Sequence, residues 1–222
     1  MTKAFDIMNY FRKSSIKKCF VRISAFTLAE VLITLGIIGV VAALTIPTLV
    51  SKTKKNQETV ALKKFYSAMS QAIKLSEADN GDINEWYYDN TQEGAAKTFY
   101  DTYLDKYIQS VKKEYNAGWY KIYFNDGSTA IFAPGTCLDI RYDVNGPKNP
   151  NNNARDIFRF LVCTKDNQLG KQGVFFDTYY IPGYTTRDSL VEGCKTSAEG
   201  VLCAKLLQWD NWEFKDDYPW KI

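Results

Sequence analysis

The most apolar part of the chain covers residues 26–50, in which Glu30 is the one charged residue and a few threonines are interspersed. The stretch 31–50 contains about the ~20 residues that a helix needs to cross the core of a bilayer. The pattern therefore predicts a membrane-spanning helix over residues 26–50.

Beyond this run the apolar positions become periodic, with spacings of three and four residues that are typical of one face of an amphipathic helix. Asp79, Asn80 and Gly81 then form a sequence typical of a helix end. We therefore predict that residues 51–81 continue the helix and that the stripe packs under the sheet of a head domain, residues 82–222. The stripe consists of Leu62, Phe65, Tyr66, Met69 and Ile73.

The remaining residues predict a small antiparallel sheet of four or five strands. Residues 82–95 are polar and turn-rich, and the next apolar positions predict a short helix over residues 99–108. Asn125, Asp126 and Gly127 form a strong hairpin turn between two alternating segments. The strand candidates are residues 119–124, 128–133, 136–142, 157–163 and 173–180.

The residues in front of the apolar run determine how it is interpreted. An ordinary secretory signal is basic, then apolar, and then cleaved, so that its apolar part is removed. In this chain, Ala25-Phe26-Thr27-Leu28-Ala29-Glu30 stands between a basic stretch and the apolar run. This arrangement resembles the class III signal of the type IV pilin and pseudopilin family, a small residue followed by F-T-L-x-E. The basic stretch contains Arg12, Lys13, Lys17, Lys18 and Arg22.

The resemblance implies a processing reaction and a fold. A membrane-bound prepilin peptidase would cleave between Ala25 and Phe26, remove residues 1–25 and methylate the new amine of Phe26. Ala25 departs from the glycine that is usual in the family, and cleavage could be slower there. The implied fold is α+β and pilin-like, a long N-terminal helix packed on a small antiparallel sheet, with Pro47 at the depth where pilin helices bend.

Glu30 is expensive within lipid unless it has a partner or a function. It lies one helical turn beyond Phe26, and in the family this glutamate is thought to pair with the terminal amine of a neighbouring subunit. A buried ion pair of this kind contributes register more than net stability. The alternative is a glutamate that snorkels to the headgroups of a simple membrane anchor, which leaves the F-T-L-x-E spacing unexplained.

The net charge of the chain changes when the leader is set aside. Residues 1–25 contain six Lys or Arg and one Asp, so 28 − 6 = 22 basic and 25 − 1 = 24 acidic residues remain. This mildly acidic balance removes most of the argument for nucleic-acid binding. We expect Lys52, Lys54 and Lys55 at the outer headgroups and the basic leader on the cytoplasmic side.

Four of the five cysteines lie in the part predicted to be outside the cytoplasm, Cys19 being in the leader. An even number in an oxidising compartment indicates two disulfides. Three connectivities are possible, and we favour Cys137–Cys163, which would join two predicted strands, and Cys194–Cys203, which closes a short loop. The chain has no histidine and no C-x-x-C, so a zinc site is not expected.

The loop 143–156 is rich in hard oxygen donors. Asp143, Asn145 and Asp156, with Asn149 and Asn151, are ligand types that calcium uses, and some pseudopilins bind calcium in a loop of this kind. The spacing is not that of an EF-hand. The alternative is an Asx-turn loop held by its own side-chain hydrogen bonds.

The C-terminal region carries many aromatic residues, and we expect most of them to close the core. Enzyme activity is not predicted, because without histidine there is no Ser-His or Cys-His pair, and no P-loop or G-x-S-x-G motif occurs. The C-terminal region contains Leu206 and Leu207 with the aromatic Trp209, Trp212, Phe214, Tyr218 and Trp220.

The sequence therefore predicts a structural subunit of a type IV pilus or of a type II secretion pseudopilus. Its expected location is the inner membrane, with a single span and the head outside the cytoplasm. Its implied partners are other pilin subunits, prepilin peptidase, an assembly platform protein and membrane lipid. Two alternatives remain open: a membrane-anchored extracellular module that binds a glycan or a calcium-dependent ligand, and a minor pilin of a DNA-uptake machine.

Overall fold

The computed structural model of the chain describes residues 26–164, 175–197 and 200–222. The leader with Ala25 and Cys19, and the first part of the strand candidate 173–180, lie outside the described residues. Two compact units divide after Pro47. The first contains the described residues 26–47, and the second, which we call the head unit, begins at Thr48 and ends at Ile222.

The helices follow the predicted order, with two additions near the C-terminus. Helix α1 covers Leu28–Asn80 and ends where Gly81 adopts a φ of 80° and donates its N–H to the carbonyl of Glu77. A 3₁₀ turn (Ile83–Glu85) follows, and then α2 (Ala95–Tyr103). Two short helices that the sequence analysis did not predict, α3 (Arg187–Thr196) and α4 (Cys203–Trp209), precede the C-terminal tail, residues 211–222.

Helix α2 begins about one turn earlier than residues 99–108 and ends earlier. Its buried face includes Ala95 and Ala96, whose small side chains weaken the apolar signal at the helix start. Leu104 caps the helix and is fully buried, while Tyr107 and Ile108 lie in the turns that follow. The prediction of a short helix here is confirmed, but its bounds were wrong.

The sheet is an antiparallel meander of six strands in the order β1-β2-β3-β4-β5-β6. Strand β1 was not predicted, since its sequence KKEYN has no buried residue and gives no alternating signal. Charged residues on an edge strand also discourage pairing with another sheet. The strands are β1 (Lys112–Asn116), β2 (Trp119–Tyr123), β3 (Thr129–Pro134), β4 (Leu138–Asp143), β5 (Ile157–Val162) and β6 (Phe176–Thr178).

The main core lies between the predicted helix stripe and one face of the sheet. Phe65 stacks on Tyr142 of β4 with ring centroids 4.0 Å apart and meets Phe160 of β5 edge-on. Leu62 and Met69 are almost completely buried in the same cluster. This arrangement confirms that the stripe packs under the sheet and that the overall architecture is α+β and pilin-like.

A smaller second core holds the C-terminal helices against the rest of the head unit. Leu190, Cys194, Cys203 and Leu206 form it together with Ala154. Most of the C-terminal aromatic side chains are buried or half-buried, as predicted, whereas Trp209 is 54% exposed.

Both disulfides have the favoured connectivity. Cys137 is bonded to Cys163 and Cys194 to Cys203, over sequence separations of 26 and 9 residues. The first bond joins the entry of β4 to the end of β5, its hydrogen-bonded neighbour. The second ties α3 to α4.

Replacing a bonded cysteine pair by serine is expected to destabilise the head unit, by somewhat more for the longer of the two loops because the cost grows with the logarithm of loop length. Loop-closure entropy gives roughly 3–4 kcal/mol for the Cys137–Cys163 pair and roughly 2–3 kcal/mol for the Cys194–Cys203 pair. Urea unfolding of the full chain in detergent, followed by tryptophan fluorescence, measures both losses. Equal stability of both double variants and the wild-type chain would show that the bonds do not constrain unfolding.

Candidate functional site

The N-terminal part of α1 contains the predicted processing and assembly residues. Phe26 and Thr27 precede the helix, and Phe26 is 85% exposed. From residue 26 to residue 50 every side chain except that of Ala42 is exposed. This helix contains a segment long and apolar enough to cross a membrane, and none of that segment is buried in the protein. The exposed apolar surface is therefore expected to contact lipid or other protein chains rather than water.

Thr27 and Glu30 form a capping box at the start of this helix. The Thr27 N–H and the Thr27 hydroxyl both donate to Oε2 of Glu30 at 2.8 Å, and the Glu30 N–H donates to the Thr27 hydroxyl oxygen at 3.2 Å. The contacts fold the Glu30 carboxylate back toward the first residues of the helix. One of its two oxygens is therefore held next to the Phe26–Thr27 peptide.

The polar side chains inside the apolar segment are satisfied by the helix itself. The hydroxyl of Thr34 donates to the carbonyls of Glu30 and Val31, and that of Thr45 donates to the carbonyl of Val41, all at 2.9 Å. Such bonds remove the cost of an unpaired hydroxyl in lipid. The threonines are thus compatible with a membrane-spanning helix.

Pro47 lies inside α1 at the division between the two units. Because proline has no N–H, the carbonyl of Ala43 lacks its usual helical donor. The resemblance implied a proline inside the helix at this depth, and α1 contains it.

The loop between β4 and β5 uses its carboxylates internally. Asp156 is completely buried and accepts hydrogen bonds from the backbone N–H groups of Asn151 and Asn152 and from the side-chain amide of Asn145, at 2.7–3.1 Å. Asp143 accepts the backbone N–H of Asn145 at 3.2 Å.

These contacts are those of the Asx-turn alternative. Within the described residues no group of three or more His, Cys, Asp or Glu side chains is arranged to hold a metal ion. Asp143 and Asp156 accept hydrogen bonds within the loop, whereas Oδ1 of Asn145 is buried and accepts none from the described residues. Calcium binding by Asp143, Asn145 and Asp156 stays a prediction.

Sequence reasoning missed a buried carboxylate close to this loop. Glu58 of α1 is 3% exposed, and neither of its carboxyl oxygens accepts a hydrogen bond from the described residues. Its nearest cation, the Lys54 ammonium, is 3.7 Å away. The pKa of Glu58 is raised from 4.5 to about 8, mainly by burial, while the charge of Lys54 lowers it and that of Asp156 raises it.

The pKa values of Asp143 and Tyr218 are also raised in this part of the head unit. Burial raises the pKa of Asp143 to about 6. The hydrogen bond from the Asn145 N–H opposes this rise, and the charge of Asp156 adds to it. Burial and the neighbouring Glu58 raise the pKa of Tyr218 well above its ordinary value. The Tyr218 hydroxyl donates to the carbonyl of Ala154 at 2.6 Å, which fixes this part of the C-terminal tail next to the loop 143–156.

An arginine holds the C-terminal tail in place. Arg187 of α3 donates four hydrogen bonds at 2.7–2.8 Å, two to the carboxylate of Asp210 and two to that of Asp217. These bonds raise the pKa of Arg187. Further along the tail, the Trp220 indole N–H donates to the carbonyl of Cys194. The planar guanidinium fits two carboxylates in a way that a lysine cannot.

Replacing Arg187 by lysine is expected to loosen the C-terminal tail. The lost bonds leave the mostly buried Asp210 without its bidentate partner, at a cost of about 1–2 kcal/mol. Chymotrypsin should then cleave the full chain faster after Phe214 and Tyr218. The matched control is Arg155→Lys, at an arginine for which the described residues provide no ion pair. Equal cleavage rates for the two variants would contradict this role of Arg187.

A pocket of about 210 Å³ lies between α1, the β2–β3 turn and the segment after α2. Phe65, Phe124 and Tyr142 line it, and Lys64 and Asp126 form an ion pair of 2.7 Å beside them. No histidine or cysteine contributes to its lining. Its aromatic lining suits an apolar group.

Comparison with known proteins gives one match. Residues 48–222 match the profile of a family whose description is "Family of unknown function (DUF6613)". No curated protein and no solved structure matches the chain. The matched range begins where the head unit begins, so the similarity concerns the head unit and leaves out the apolar segment.

Proposed function

Because the chain belongs to DUF6613, a family of unknown function, we propose its role from its own residues: a structural subunit of a type IV pilus or a type II secretion pseudopilus. In this proposal prepilin peptidase removes residues 1–25 and methylates Phe26. The apolar segments of many copies then pack together, and the head units form the outer surface.

The capping box of Thr27 and Glu30 supports this proposal. A carboxylate folded back to the first residues of an exposed apolar helix is positioned to meet an amine formed at Phe26. Such an amine exists only after cleavage. In the proposed assembly a processed chain offers its neighbours one positive charge, the amine of Phe26, and one negative charge, the carboxylate of Glu30. An unprocessed chain lacks the positive charge and would leave the carboxylate of a neighbour unpaired.

The exposed apolar surface gives the assembly its contact area. A single span in lipid would satisfy this surface equally well, so the proposal rests on the sequence motif, with the position of the Glu30 carboxylate as support. The proposal assigns the head unit to the outside of the inner membrane, where its two disulfides are stable.

Cross-linking in membranes of the native host tests the proposal. We expect a short-reach cross-linker to give a ladder of multimers of this chain. The matched control replaces residues 31–50 by an unrelated apolar helix of the same length, which still anchors the head unit but should lose the ladder. A ladder that persists with the unrelated helix, or a single-chain band for both proteins, would contradict the proposal.

A further inference from the structure

The charges of the head unit are divided between two consecutive stretches of the chain. Residues 48–76 contain six lysines and one acidic residue, the buried Glu58. Residues 77–94 contain six acidic residues and neither lysine nor arginine. Both stretches lie within the head unit, so one subunit carries a basic surface and an acidic surface.

Three lysines of α1 form a straight row on its exposed side. Lys52, Lys63 and Lys74 are eleven residues apart, close to three full turns, so they lie along one line at intervals of ~16 Å. All three are exposed, and none pairs with a carboxylate among the described residues. We call these three residues the lysine row.

The acidic surface follows the end of α1. Asp82, Glu85 and Glu93 are exposed and Asp89 is half-buried. In the described part of the chain none of these four carboxylates has a Lys or Arg partner, and the hydrogen bonds of Asp82 and Asp89 come from neutral donors in their own turns. Those bonds lower the pKa of Asp89. We call Asp82, Glu85, Asp89 and Glu93 the acidic cap.

Lys52 and Lys63 cannot reach the acidic cap of their own copy, whereas Lys74, eight residues before Asp82 and about 12 Å from it along the chain, pairs with none of the four carboxylates among the described residues. From Lys63 to Asp82 the chain follows a helix for almost its whole length, which places them ~27 Å apart, and Lys52 is farther still. A lysine side chain does not span such distances. Two different, complementary surfaces on one subunit form a head-to-tail contact, and this type of contact builds open filaments.

We propose that the lysine row of one copy docks against the acidic cap of a second copy of the same chain. This inference rests on the proposed function and specifies how neighbouring head units are placed in the filament. The contact steers subunits together and selects one relative position, because a shifted neighbour would bring like charges together. It is solvent-exposed, so salt weakens it.

Zero-length cross-linking of the full chain tests the contact. Chain purified from native-host membranes of ¹⁴N-grown and ¹⁵N-grown cells is mixed in detergent, allowed to assemble as the detergent is removed without added lipid, and treated with a carbodiimide, which joins a lysine amine to a carboxylate in contact with it. We expect peptides that join the lysine row to the acidic cap with one light and one heavy arm. The yield should fall about tenfold between 0.1 M and 1 M salt, where the Debye length falls from ~10 to ~3 Å.

Charge reversal provides the matched variants. Lys63→Glu with Lys74→Glu, and separately Glu85→Lys with Glu93→Lys, should each lower cross-linking between copies about tenfold, and the combination of all four should restore it. Lys195→Glu with Lys221→Glu makes the same change in net charge at two exposed lysines outside the row and should have no effect.

Two results would overturn the proposal: cross-links only within one label, or mixed-label cross-links confined to other surfaces. The intact mass of the same sample decides the proposed function separately. A chain that begins at Phe26 and lacks these cross-links refutes the docking contact alone, whereas a chain that begins at Met1 refutes the filament role whatever the cross-links are.

Discussion

Replacing Glu30 by glutamine is expected to abolish assembly of the processed chain while its insertion into the membrane is unchanged. Glutamine also accepts hydrogen bonds at the third position of a capping box, so the contacts with Thr27 and the start of α1 are retained. The variant therefore removes the charge and keeps the cap. Any loss of assembly then reports on the charge.

The expected loss of assembly is large because the substitution leaves a positive charge without its partner. In the proposed filament the methylated amine of a neighbour would be buried without a counter-charge. An ion pair that loses one partner in an apolar environment costs about 3–5 kcal/mol, which corresponds to roughly two to four orders of magnitude in each association step.

The measurement compares the multimer ladder of the wild-type chain, Glu30→Gln and Thr27→Val in native-host membranes. Thr27→Val removes the two bonds of the Thr27 hydroxyl and keeps both the backbone bond to Glu30 and the charge, so this control should assemble better than Glu30→Gln. A membrane-anchored binding module would tolerate Glu30→Gln without effect. A wild-type ladder from Glu30→Gln would therefore favour that alternative.

Replacing Glu58 by glutamine is expected to change how the stability of the head unit depends on pH. Burial raises the pKa of Glu58 from 4.5 to about 8. Below pH 4.5 the side chain is neutral in both the folded and the unfolded chain. Between pH 4.5 and 8 only the unfolded chain releases the proton, so the free energy of unfolding falls as pH rises, and above pH 8 the loss of stability is complete.

The single carboxyl group accounts for up to roughly 5 kcal/mol over this interval, at 1.36 kcal/mol for each pKa unit. Asp143 acts in the same direction but only up to its pKa of about 6. The difference between wild type and Glu58→Gln isolates the Glu58 contribution, because Asp143 is present in both chains.

Urea unfolding of the full chain in detergent, at pH values from 4.5 to 8.5, measures this difference. We expect Glu58→Gln to become more stable than wild type as pH rises, with most of the change between pH 5 and 8. Glu93→Gln, at an exposed glutamate, is the control and should show a constant difference. Parallel pH curves for wild type and Glu58→Gln would show that Glu58 does not titrate as a buried group.

Much of the fold was predictable because strong local patterns and tertiary packing agree. The stripe from Leu62 to Ile73 faces the sheet, and the turn at Asn125–Gly127 joins β2 to β3 with Gly127 at a φ of 87°. Strand β1 could not be predicted from hydrophobic pattern, because an exposed edge strand buries nothing. It is recognisable only from its turn, in which Ala117 and Gly118 both have positive φ.

The C-terminal helices were missed for a different reason. Helices α3 and α4 have ten and seven residues, and such short helices depend on tertiary contacts rather than on their own periodicity. The ion pairs of Arg187 are equally non-local, since Asp210 and Asp217 lie 23 and 30 positions after it in the chain.

The burial of Glu58 could have been predicted from the sequence. It continues the buried stripe one turn toward the N-terminus, four residues before Leu62 and seven before Phe65. An acidic residue at an apolar position of an amphipathic helix indicates a buried carboxylate. Its surroundings, Asp156 and Tyr218, come from distant parts of the chain and required the structure.

The measurement that tests the central claim most directly is the intact mass and N-terminal sequence of the chain purified from membranes of its native host. The filament role predicts a chain that begins at Phe26 and is heavier by one methyl group than the unmodified sequence. A chain that begins at Met1 in cells containing prepilin peptidase would contradict the claim and leave a membrane-anchored binding protein as the better account.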